Sequence, residues 1–307
     1  MGDIIHALPA VASLKAEFPE AHLAWAAAPR WRDLLVGNPG VDEYIEIDRR
    51  SLAGLVRGWR ALRRLRFDVA IDFQGLWQSA LVGAIARATR LIGYERAQAR
   101  EGGAALLYTE GVHALAAHVV DRNLELAAAA GASRRTHEFP LPPGRVEGEL
   151  PEGPFVLTSP LAGWVSKQWP LDYYTALARE LPNSLGMPLV VNGAPNDEQT
   201  LRRIEGAIVH LSSVAGLIDA TRRATAVVGV DSGPLHLAAA LGRPGVAIFG
   251  PTDPARNGPY GGSITVLREA GAAVSYAREG EIAASMRAMG PERVMEALRR
   301  SLAAVRV

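Results

Sequence analysis

The most informative stretch for chemistry is residues 231–236, Asp-Ser-Gly-Pro-Leu-His, which follows the β-branched apolar run Ala226–Val230. A serine before Gly-Pro is typical of a helix start, because proline in the first turn has no N–H to leave unpaired. The free N–H groups of such a turn lie beyond the carboxyl end of the strand and can bind an anion. Ser232 and His236 are therefore candidates for an anion site. In the alternative interpretation, Ser232 only caps the helix and His236 is a partly buried helix residue.

Three more loops rich in glycine and proline follow predicted strands, at residues 162–167, 193–197 and 250–261. Consecutive parallel strands end at the same edge of a sheet, so we expect these loops beside the anion site. Lys167 in the first loop is a candidate counter-ion for a diphosphate, and Asp197 in the second can accept hydrogen bonds from a ribose or a base. A single lysine in a loop is usually only solvated, so the assignment of Lys167 depends on its neighbours.

Another charged feature lies between Arg49 and Arg66, where seven arginines occur without an acidic residue. A helix is predicted there, with Arg57, Arg60 and Arg64 on one face. The apolar residues on another face are Leu52, Leu55, Val56, Trp59 and Leu62. A charged helix face is usually only solvated, but guanidinium groups also bind carboxylates and phosphates with two parallel hydrogen bonds. The patch is a candidate for contact with an anionic molecule or with anionic lipid.

The elements that must position these residues are short apolar runs, which alternate with longer amphipathic segments rich in Ala, Leu and Arg. This alternation predicts parallel sheets in βαβ units, and therefore an α/β fold. Strands are predicted at residues 22–28, 43–48, 67–73, 90–94, 155–159, 188–192, 226–231 and 245–249. Helices are predicted at residues 51–65, 116–130, 171–181, 197–208, 234–241 and 291–303.

A domain boundary is predicted within residues 137–154, because prolines and glycines crowd a polar stretch that can hold neither a helix nor a central strand. The predicted domains are residues 1–145 and residues 146–307. Two α/β halves joined by a hinge imply a cleft, and ligands of open α/β sheets bind at the carboxyl ends of the strands.

Composition and missing motifs exclude several classes of protein. The 307 residues suffice for two domains, and the absence of cysteine excludes disulfides, thiolate metal sites and a cysteine nucleophile. A net charge of +1 gives no global attraction to nucleic acid or to an anionic membrane, so any such attraction must come from local charge. No apolar run is long enough for a membrane span and residues 1–6 lack a signal-peptide pattern, so we expect a cytoplasmic location. Dinucleotide, P-loop, zinc-protease and nucleophile-elbow motifs do not occur, and we expect no metal site.

Several motifs follow one another in a fixed order along the chain. In the first half they are Gly-Asp-Ile-Ile-His-Ala-Leu-Pro at residues 2–9, Asp-Phe-Gln-Gly-Leu at 72–76 with Ser-Ala at 79–80, and Ala-Arg-Glu at 99–101. In the second half they are Lys-Gln-Trp-Pro at 167–170, Gly-Ala-Pro at 193–195, Asp-Ser-Gly at 231–233 with His236 and Ala-Ala at 239–240, and Gly-Pro-Thr-Asp-Pro at 250–254. Together they resemble glycosyltransferase family 9, the lipopolysaccharide heptosyltransferases, and within it heptosyltransferase I. The resemblance extends to residues 290–294.

The resemblance implies a GT-B fold, in which two Rossmann-like domains have parallel sheets that face each other across a cleft. Residues 1–145 would bind the acceptor, and residues 146–307 the nucleotide sugar, with the last helix packing back on the N-terminal domain. The implied reaction is an inverting transfer of heptose from ADP-L-glycero-D-manno-heptose (ADP-heptose) to the 3-deoxy-D-manno-oct-2-ulosonic acid (Kdo) of a lipid A precursor. No cofactor and no nucleic acid are implied, and the enzyme would contact the inner face of the inner membrane.

The family motifs also imply roles for single residues. Asp3 would be the catalytic base that takes the proton from the acceptor hydroxyl, Lys167 would hold the diphosphate, and Asp197 would face the nucleoside. The other donor-binding residues would be Asp231, Ser232, Gly233 and His236, and the acceptor-binding residues Arg57, Arg60, Arg64 and Arg100. One carboxylate and one phosphate-binding site suffice for a direct displacement at the anomeric carbon, so no covalent nucleophile is needed.

Two departures from the family pattern bear on this function. Relatives carry about ten residues before the Gly-Asp motif, which form the central first strand, and losing it would leave two unpaired edges in the core. We therefore expect that the natural start lies upstream of Met1 or that the chain is truncated. A cationic α-amino group at Met1 would lower the pKa of Asp3 and weaken it as a base. The second departure is Ala162-Gly163, where heptosyltransferase I usually offers hydroxyl groups to the donor.

Three other functions remain open from the sequence. One is a family 9 enzyme with another donor or acceptor, such as heptosyltransferase II. A second is a nucleotide-sugar epimerase of GT-B-like fold, which would turn over a donor without an acceptor. The third is a two-lobed solute-binding protein, which would require a signal peptide.

Overall fold

The computed structural model describes residues 1–275, 277 and 279–305. The chain divides into two compact units, one comprising Asp3–Pro142 with Met1 and the other beginning at Pro143. The division falls between two prolines of the predicted boundary stretch. No helix in the described ranges combines the length and apolar character that crossing a membrane requires.

The part of the chain before Pro143 contains two separate parallel sheets. The first pairs β1 (Ala24–Ala27) with β2 (Glu43–Glu46), and the second has the order β3 (Val69–Ile71), β4 (Arg90–Tyr94), β5 (Glu110–Val112). Its helices are α1 (Gly2–Glu17), α2 (Arg32–Leu35), α3 (Leu52–Arg64), α4 (Trp77–Ala86) and α5 (Val119–Ala129). The four predicted strands are all present: β4 has its predicted bounds and the other three are shorter than predicted, whereas β5 and helices α1, α2 and α4 had not been predicted.

A cavity of about 410 Å³ lies within this unit. It is lined by β1 of one sheet, by β3 of the other, and by Ile4, Ala7 and Val11 on one face of α1. No described strand pairs with the second edge of β1 or of β3. The apolar side of α1 therefore covers this cavity, which is lined by β1 and β3, each with one unpaired edge.

The second unit contains one six-stranded parallel sheet. Its strands are β6 (Val156–Thr158), β7 (Leu189–Gly193), β8 (Ile208–Leu211), β9 (Ala226–Val230), β10 (Gly245–Phe249) and β11 (Ile264–Arg268). The spatial order is β11-β10-β9-β6-β7-β8. The four predicted strands form the centre, where both faces are covered and the sequence is continuously apolar. The two outermost strands, β8 and β11, had not been predicted.

Helices cover both faces of this sheet. They are α6 (Leu171–Leu185), α7 (Glu198–Leu201), α8 (Val214–Arg223), α9 (Gly233–Ala240), α10 (Pro254–Asn257), α11 (Ala284–Arg287) and α12 (Pro291–Val305). The core between α6 and α12 includes the fully buried Trp169, whose indole N–H donates to the Met289 carbonyl at 2.7 Å. Helix α12 packs against α6 and against β9, β10 and β11.

The predicted helix at residues 197–208 was wrong in extent. Helix α7 ends at Leu201, and Ile208 already begins strand β8. Between them the N–H groups of Arg203 and Ile204 donate only to carbonyls three residues back, and Gly206 has a φ of 81°, a left-handed conformation that glycine adopts at low cost. The apolar residues of this segment therefore belong partly to a short helix and partly to an edge strand.

Candidate active site

Asp231 organises the site in the second unit. It stands directly after β9, and the other strands of the parallel sheet end at the same edge. Oδ2 accepts hydrogen bonds from Lys167 Nζ at 2.6 Å and from Thr252 Oγ1 at 2.7 Å, while Oδ1 lies 3.4 Å from His236 Nε2. The predicted site residues Lys167, Asp231 and His236 are thus brought together. Thr252 is an additional member that sequence reasoning missed, although it lies in a motif on the same rim.

The charge state of Asp231 follows from these contacts. Burial by itself would raise its pKa, but the imidazole of His236 and the ammonium of Lys167 together hold the pKa well below its ordinary range. The carboxylate is therefore ionised at neutral pH and pairs with a buried cation. A buried anion cannot itself bind a diphosphate, so Asp231 is better suited to position the groups that do.

Lys167 lies in a loop, where a lysine is usually solvated, but the fold fixes its side chain in place. It ends the 3₁₀ turn Val165–Lys167, only 15% of its side chain is exposed, and Nζ lies 4.2 Å from the centre of the Trp164 ring. An ammonium has three donors, and one is occupied by Asp231. The others can bind an oxyanion at the carboxyl edge of the sheet, so the alternative of a merely solvated lysine is wrong.

The start of helix α9 supplies the second part of this anion site. Gly233 begins the helix directly after β9, and the N–H groups of a first turn have no acceptor within the helix. Ser232 stands at the N-cap position, but its side chain accepts no helix N–H, and among the described residues its buried Oγ has no hydrogen-bond partner. Side-chain capping is therefore not the role of Ser232. Its hydroxyl and the adjacent N–H groups remain free to bind an anion.

Asp197 and the Ala162-Gly163 departure lie in neighbouring loops of the same sheet edge. Asp197 Oδ2 accepts a hydrogen bond from the Ala194 N–H at 2.9 Å, which stabilises the turn Pro195–Asp197. No described hydrogen bond joins Asp197 to the Lys167–Asp231 pair, so the structure does not bring it into that cluster. A Cβ added at Gly163 would meet no atom within 4 Å, so glycine is not required there by packing.

In the first unit, Asp3 is the centre of a separate polar cluster. It lies in the first turn of α1, and Arg100 binds it bidentately, with Nη2–Oδ1 at 2.6 Å and Nη1–Oδ2 at 3.1 Å. Gln74 Nε2 donates to Oδ2 at 3.1 Å. The predicted residues Asp3 and Arg100 therefore meet, and Gln74 joins them as a residue that sequence reasoning had quoted only as part of a motif.

The ionisation of Asp3 is controlled by these neighbours. Burial by itself would raise the pKa, but the Arg100 guanidinium, with smaller contributions from the Met1 amino group and Gln74, holds it below its ordinary value. Burial also lowers the pKa of the Met1 α-amino group to about 5, against the raising effect of Asp3. Of these two cationic groups, Arg100 lowers the pKa of Asp3 more.

The loop after β3 positions Gln74 and Arg100. Asp72 is buried, and its Oδ1 accepts the N–H groups of Gln74 at 2.9 Å and of Gly75 at 3.2 Å. Gly75 has a φ of 67°, and a Cβ there would lie 3.1 Å from the backbone nitrogen of Arg100. The loop can therefore approach the Arg100 backbone only with glycine at this position. Asp72 and Gly75 thus position Gln74 and Arg100, which bind Asp3.

The other predicted acceptor residues are placed elsewhere. Arg57, Arg60 and Arg64 lie on the exposed surface of α3, and Arg64 Nη2 forms an ion pair with Glu43 at 3.2 Å. No described ion pair or hydrogen bond connects these arginines to Asp3 or to Arg100. Within the described ranges, no group of three or more His, Asp or Glu side chains is arranged to hold a metal ion.

Comparisons with known proteins identify the family of the chain. The family model described as "Glycosyltransferase family 9 (heptosyltransferase)" matches residues 55–282. Lipopolysaccharide heptosyltransferase 1 of Pseudomonas aeruginosa is 30% identical over 288 residues, covering 86% of this chain and 79% of its own length. Lipopolysaccharide heptosyltransferase 2 of Salmonella typhimurium is 29% identical over 310 residues, covering 87% of this chain and 85% of its own.

Solved structures show the same relationship. The structure of the Escherichia coli heptosyltransferase WaaC with ADP has a TM-score of 0.81 at 25% identity, covering 98% of this chain and 97% of its own. WaaC with ADP-2-deoxy-2-fluoro heptose has a TM-score of 0.77 at 26% identity, with coverages of 96% and 95%. The predicted GT-B kind of α/β fold with parallel sheets is confirmed. The chain belongs to glycosyltransferase family 9, the heptosyltransferases.

Proposed function

We propose that the chain transfers heptose from ADP-heptose to the Kdo of a lipid A precursor, with inversion at the anomeric carbon. The observation that carries this proposal is the group of candidate anion-binding residues in the second unit. There the Lys167 ammonium, the Ser232 hydroxyl and the first turn of α9 lie at one edge of a parallel sheet. The similar enzyme WaaC has been solved with ADP and with a fluorinated ADP-heptose, which supports the same donor here.

The proposed donor chemistry follows from charge. As the bond from the anomeric carbon to the diphosphate breaks, negative charge grows on the departing ADP. Lys167 and the N–H groups at the start of α9 stabilise that charge without having to reorganise. Asp231 acts as a positioning residue, because it fixes the ammonium at 2.6 Å and keeps His236 and Thr252 turned toward the same point.

The proposed acceptor chemistry uses Asp3. The acceptor hydroxyl attacks the anomeric carbon, and its proton passes to the Asp3 carboxylate, while ADP takes the electron pair of the broken bond. Arg100 holds the carboxylate in the absence of acceptor. A Kdo carboxylate offers Arg100 an equivalent bidentate partner. Acceptor binding would then draw Arg100 away from Asp3, raise the pKa of Asp3 and make it a better base.

Replacing Arg100 by methionine tests this coupling. Activity needs ionised Asp3, so kcat/KM falls as the pH drops through the Asp3 pKa. Because Arg100 lowers that pKa, R100M is expected to move the acidic limb of the pH profile of kcat/KM to higher pH, and to raise KM for the acceptor about tenfold or more. The measurement is initial rate against pH at several acceptor concentrations. R96M, which removes another exposed arginine of the same loop, is the matched control. An unshifted limb in R100M would contradict the coupling.

Product analysis tests the function itself. Incubation with ADP-heptose and Kdo-lipid A is expected to yield ADP and an acceptor heavier by one heptose residue, measured by mass spectrometry. Transfer only to an acceptor that already carries heptose would assign heptosyltransferase II instead. The two curated relatives differ by one percentage point of identity, so this experiment decides between them. Donor conversion without acceptor would indicate an epimerase, and binding without turnover a solute-binding protein.

We also propose that the enzyme works in the cytoplasm at the inner face of the inner membrane. The proposed acceptor carries acyl chains and is embedded in a bilayer, whereas the donor is a soluble nucleotide sugar. An enzyme that joins them must reach the membrane surface while its donor site stays in water.

A further inference from the structure

Helix α3 has three distinct faces. Its packing face consists of Gly54, Gly58 and Leu62, which are buried. A Cβ at Gly54 would lie 2.6 Å from an Asp48 side-chain oxygen, and one at Gly58 would lie 2.9 Å from the Glu46 carbonyl. The helix therefore packs closely on the segment after β2 through its smallest residues. Its other large apolar residues, Leu52, Leu55, Val56 and Trp59, lie outside this packing face.

The second face of α3 is apolar and exposed. Leu52, Leu55, Val56 and Trp59 are 83%, 43%, 41% and 49% exposed. They follow the helical spacing of three and four residues, so they form one stripe. Helix α4 packs beside α3 and carries its own exposed apolar residues, Trp77 and Leu81, which are 48% and 53% exposed. An exposed apolar stripe such as that of α3 marks a contact with another phase or molecule.

The third face carries arginines. At about 100° per residue, Arg57, Arg60 and Arg64 lie about a third of a turn from the apolar stripe. All three are exposed, and only Arg64 has a described ion pair, at 3.2 Å to Glu43. Arg63 extends over Trp59, with Cζ 5.9 Å from the ring centre. An exposed apolar stripe that contains an aromatic residue and runs next to a guanidinium stripe is the pattern of a helix that lies in a bilayer interface.

We propose that α3 is a membrane-docking helix that lies flat on an anionic bilayer. Its apolar stripe would insert at the headgroup–acyl boundary, and Arg57, Arg60 and Arg63 would contact lipid phosphates. The absence of any acidic residue between Arg49 and Arg66 gives this surface the charge complementary to anionic lipid. The inference rests on the proposed function only in assuming that the acceptor is a membrane lipid. It assigns the α3 arginines to the bilayer surface and leaves the acceptor sugar to Arg100.

Sedimentation with lipid vesicles tests the docking helix. The intact chain is expected to bind vesicles of phosphatidylcholine with phosphatidylglycerol, to bind phosphatidylcholine alone much more weakly, and to dissociate as salt is added. R57Q/R60Q is expected to weaken binding to anionic vesicles about 25-fold, at about fivefold for each basic residue. L55S/W59S is expected to abolish binding to both kinds of vesicle. The matched controls are R203Q and L115S, which alter an exposed arginine and an exposed leucine elsewhere.

Activity measurements separate this inference from the proposed function. L55S/W59S is expected to keep full transfer to a deacylated, water-soluble Kdo acceptor and to lose at least tenfold on acceptor embedded in vesicles. Two results would overturn the inference. One is vesicle binding by L55S/W59S equal to that of the L115S control. The other is that L55S/W59S loses self-association of the protein and keeps its binding to vesicles. If the intact chain transfers heptose to neither acceptor but still binds vesicles, the proposed reaction is rejected and the inference about α3 is retained.

Discussion

Asparagine at position 3 is expected to reduce kcat for heptose transfer by about a hundred- to ten-thousand-fold, the usual contribution of a general base. The change keeps the size of the side chain and an oxygen that Arg100 and Gln74 can bind, but it removes the group that accepts the proton. ADP binding should be unchanged, because the proposed donor residues belong to the second unit. Initial rates at saturating donor and acceptor, together with titration calorimetry of ADP, check both parts.

The structure supports two controls for this variant. The Asp3–Arg100 pair is about one third to one half exposed, so its loss should change the free energy of unfolding by less than about 1 kcal/mol. Thermal unfolding of D3N near the wild-type temperature would show that the lost activity is chemical. E20Q removes an exposed carboxylate just after α1 and should retain full activity. A D3N variant with more than a third of wild-type kcat would refute Asp3 as the base.

Methionine at position 167 is expected to lower kcat/KM for ADP-heptose by about a hundred- to a thousand-fold and to weaken ADP binding. Methionine fills the space of the lysine stem beside Trp164 but carries no charge for the diphosphate. K15M is the matched control, since Lys15 is the only other lysine and forms a more exposed ion pair with Asp42. Steady-state kinetics with varied donor and calorimetry with ADP provide the measurement.

Loss of Lys167 also has a structural consequence that must be separated from donor binding. The Asp231 side chain is only 5% exposed, so K167M leaves a buried carboxylate without its shortest ion pair. Removing one member of such a pair costs about 3–5 kcal/mol of unfolding free energy. The double variant K167M/D231N is expected to recover much of that stability, measured by chemical denaturation, without recovering ADP affinity. Wild-type affinity in the double variant would show that Lys167 acts only through folding.

The central strands of the second sheet illustrate what local sequence can predict. The runs that form β6, β7, β9 and β10 are apolar on both faces, because both faces of these strands are covered. Strands β5, β8 and β11 lie at sheet edges and are short or partly polar, so periodicity did not reveal them. Helix α1 was missed for a different reason: Pro9 in its interior argues against a helix, and only packing within the first unit outweighs it.

Helix α3 shows how an amphipathic pattern can mislead. Its spacing correctly separated an apolar face from an arginine face. Amphipathicity alone suggests that the apolar face is buried, but the helix packs through Gly54 and Gly58 and leaves Trp59 exposed. Which face is buried depends on the shape of the neighbouring segment, and that information is not local. The edges of β1 and β3 are equally non-local: no described strand pairs with the second edge of either, and both strands line a cavity of about 410 Å³.

The sequence by itself determined the α/β class and the family, and it marked the proline-rich stretch in which the chain divides, because these depend on local pattern and on motifs in order. The residue types of the two proposed sites come from the same motifs. Only the tertiary structure decided which residues meet. Lys167 reaches Asp231 across 64 positions, and Arg100 reaches Asp3 across 97. The first pair forms because parallel strands deliver distant loops to one edge of a sheet, whereas the second joins the first turn of α1 to the segment after β4. No local signal encodes either distance.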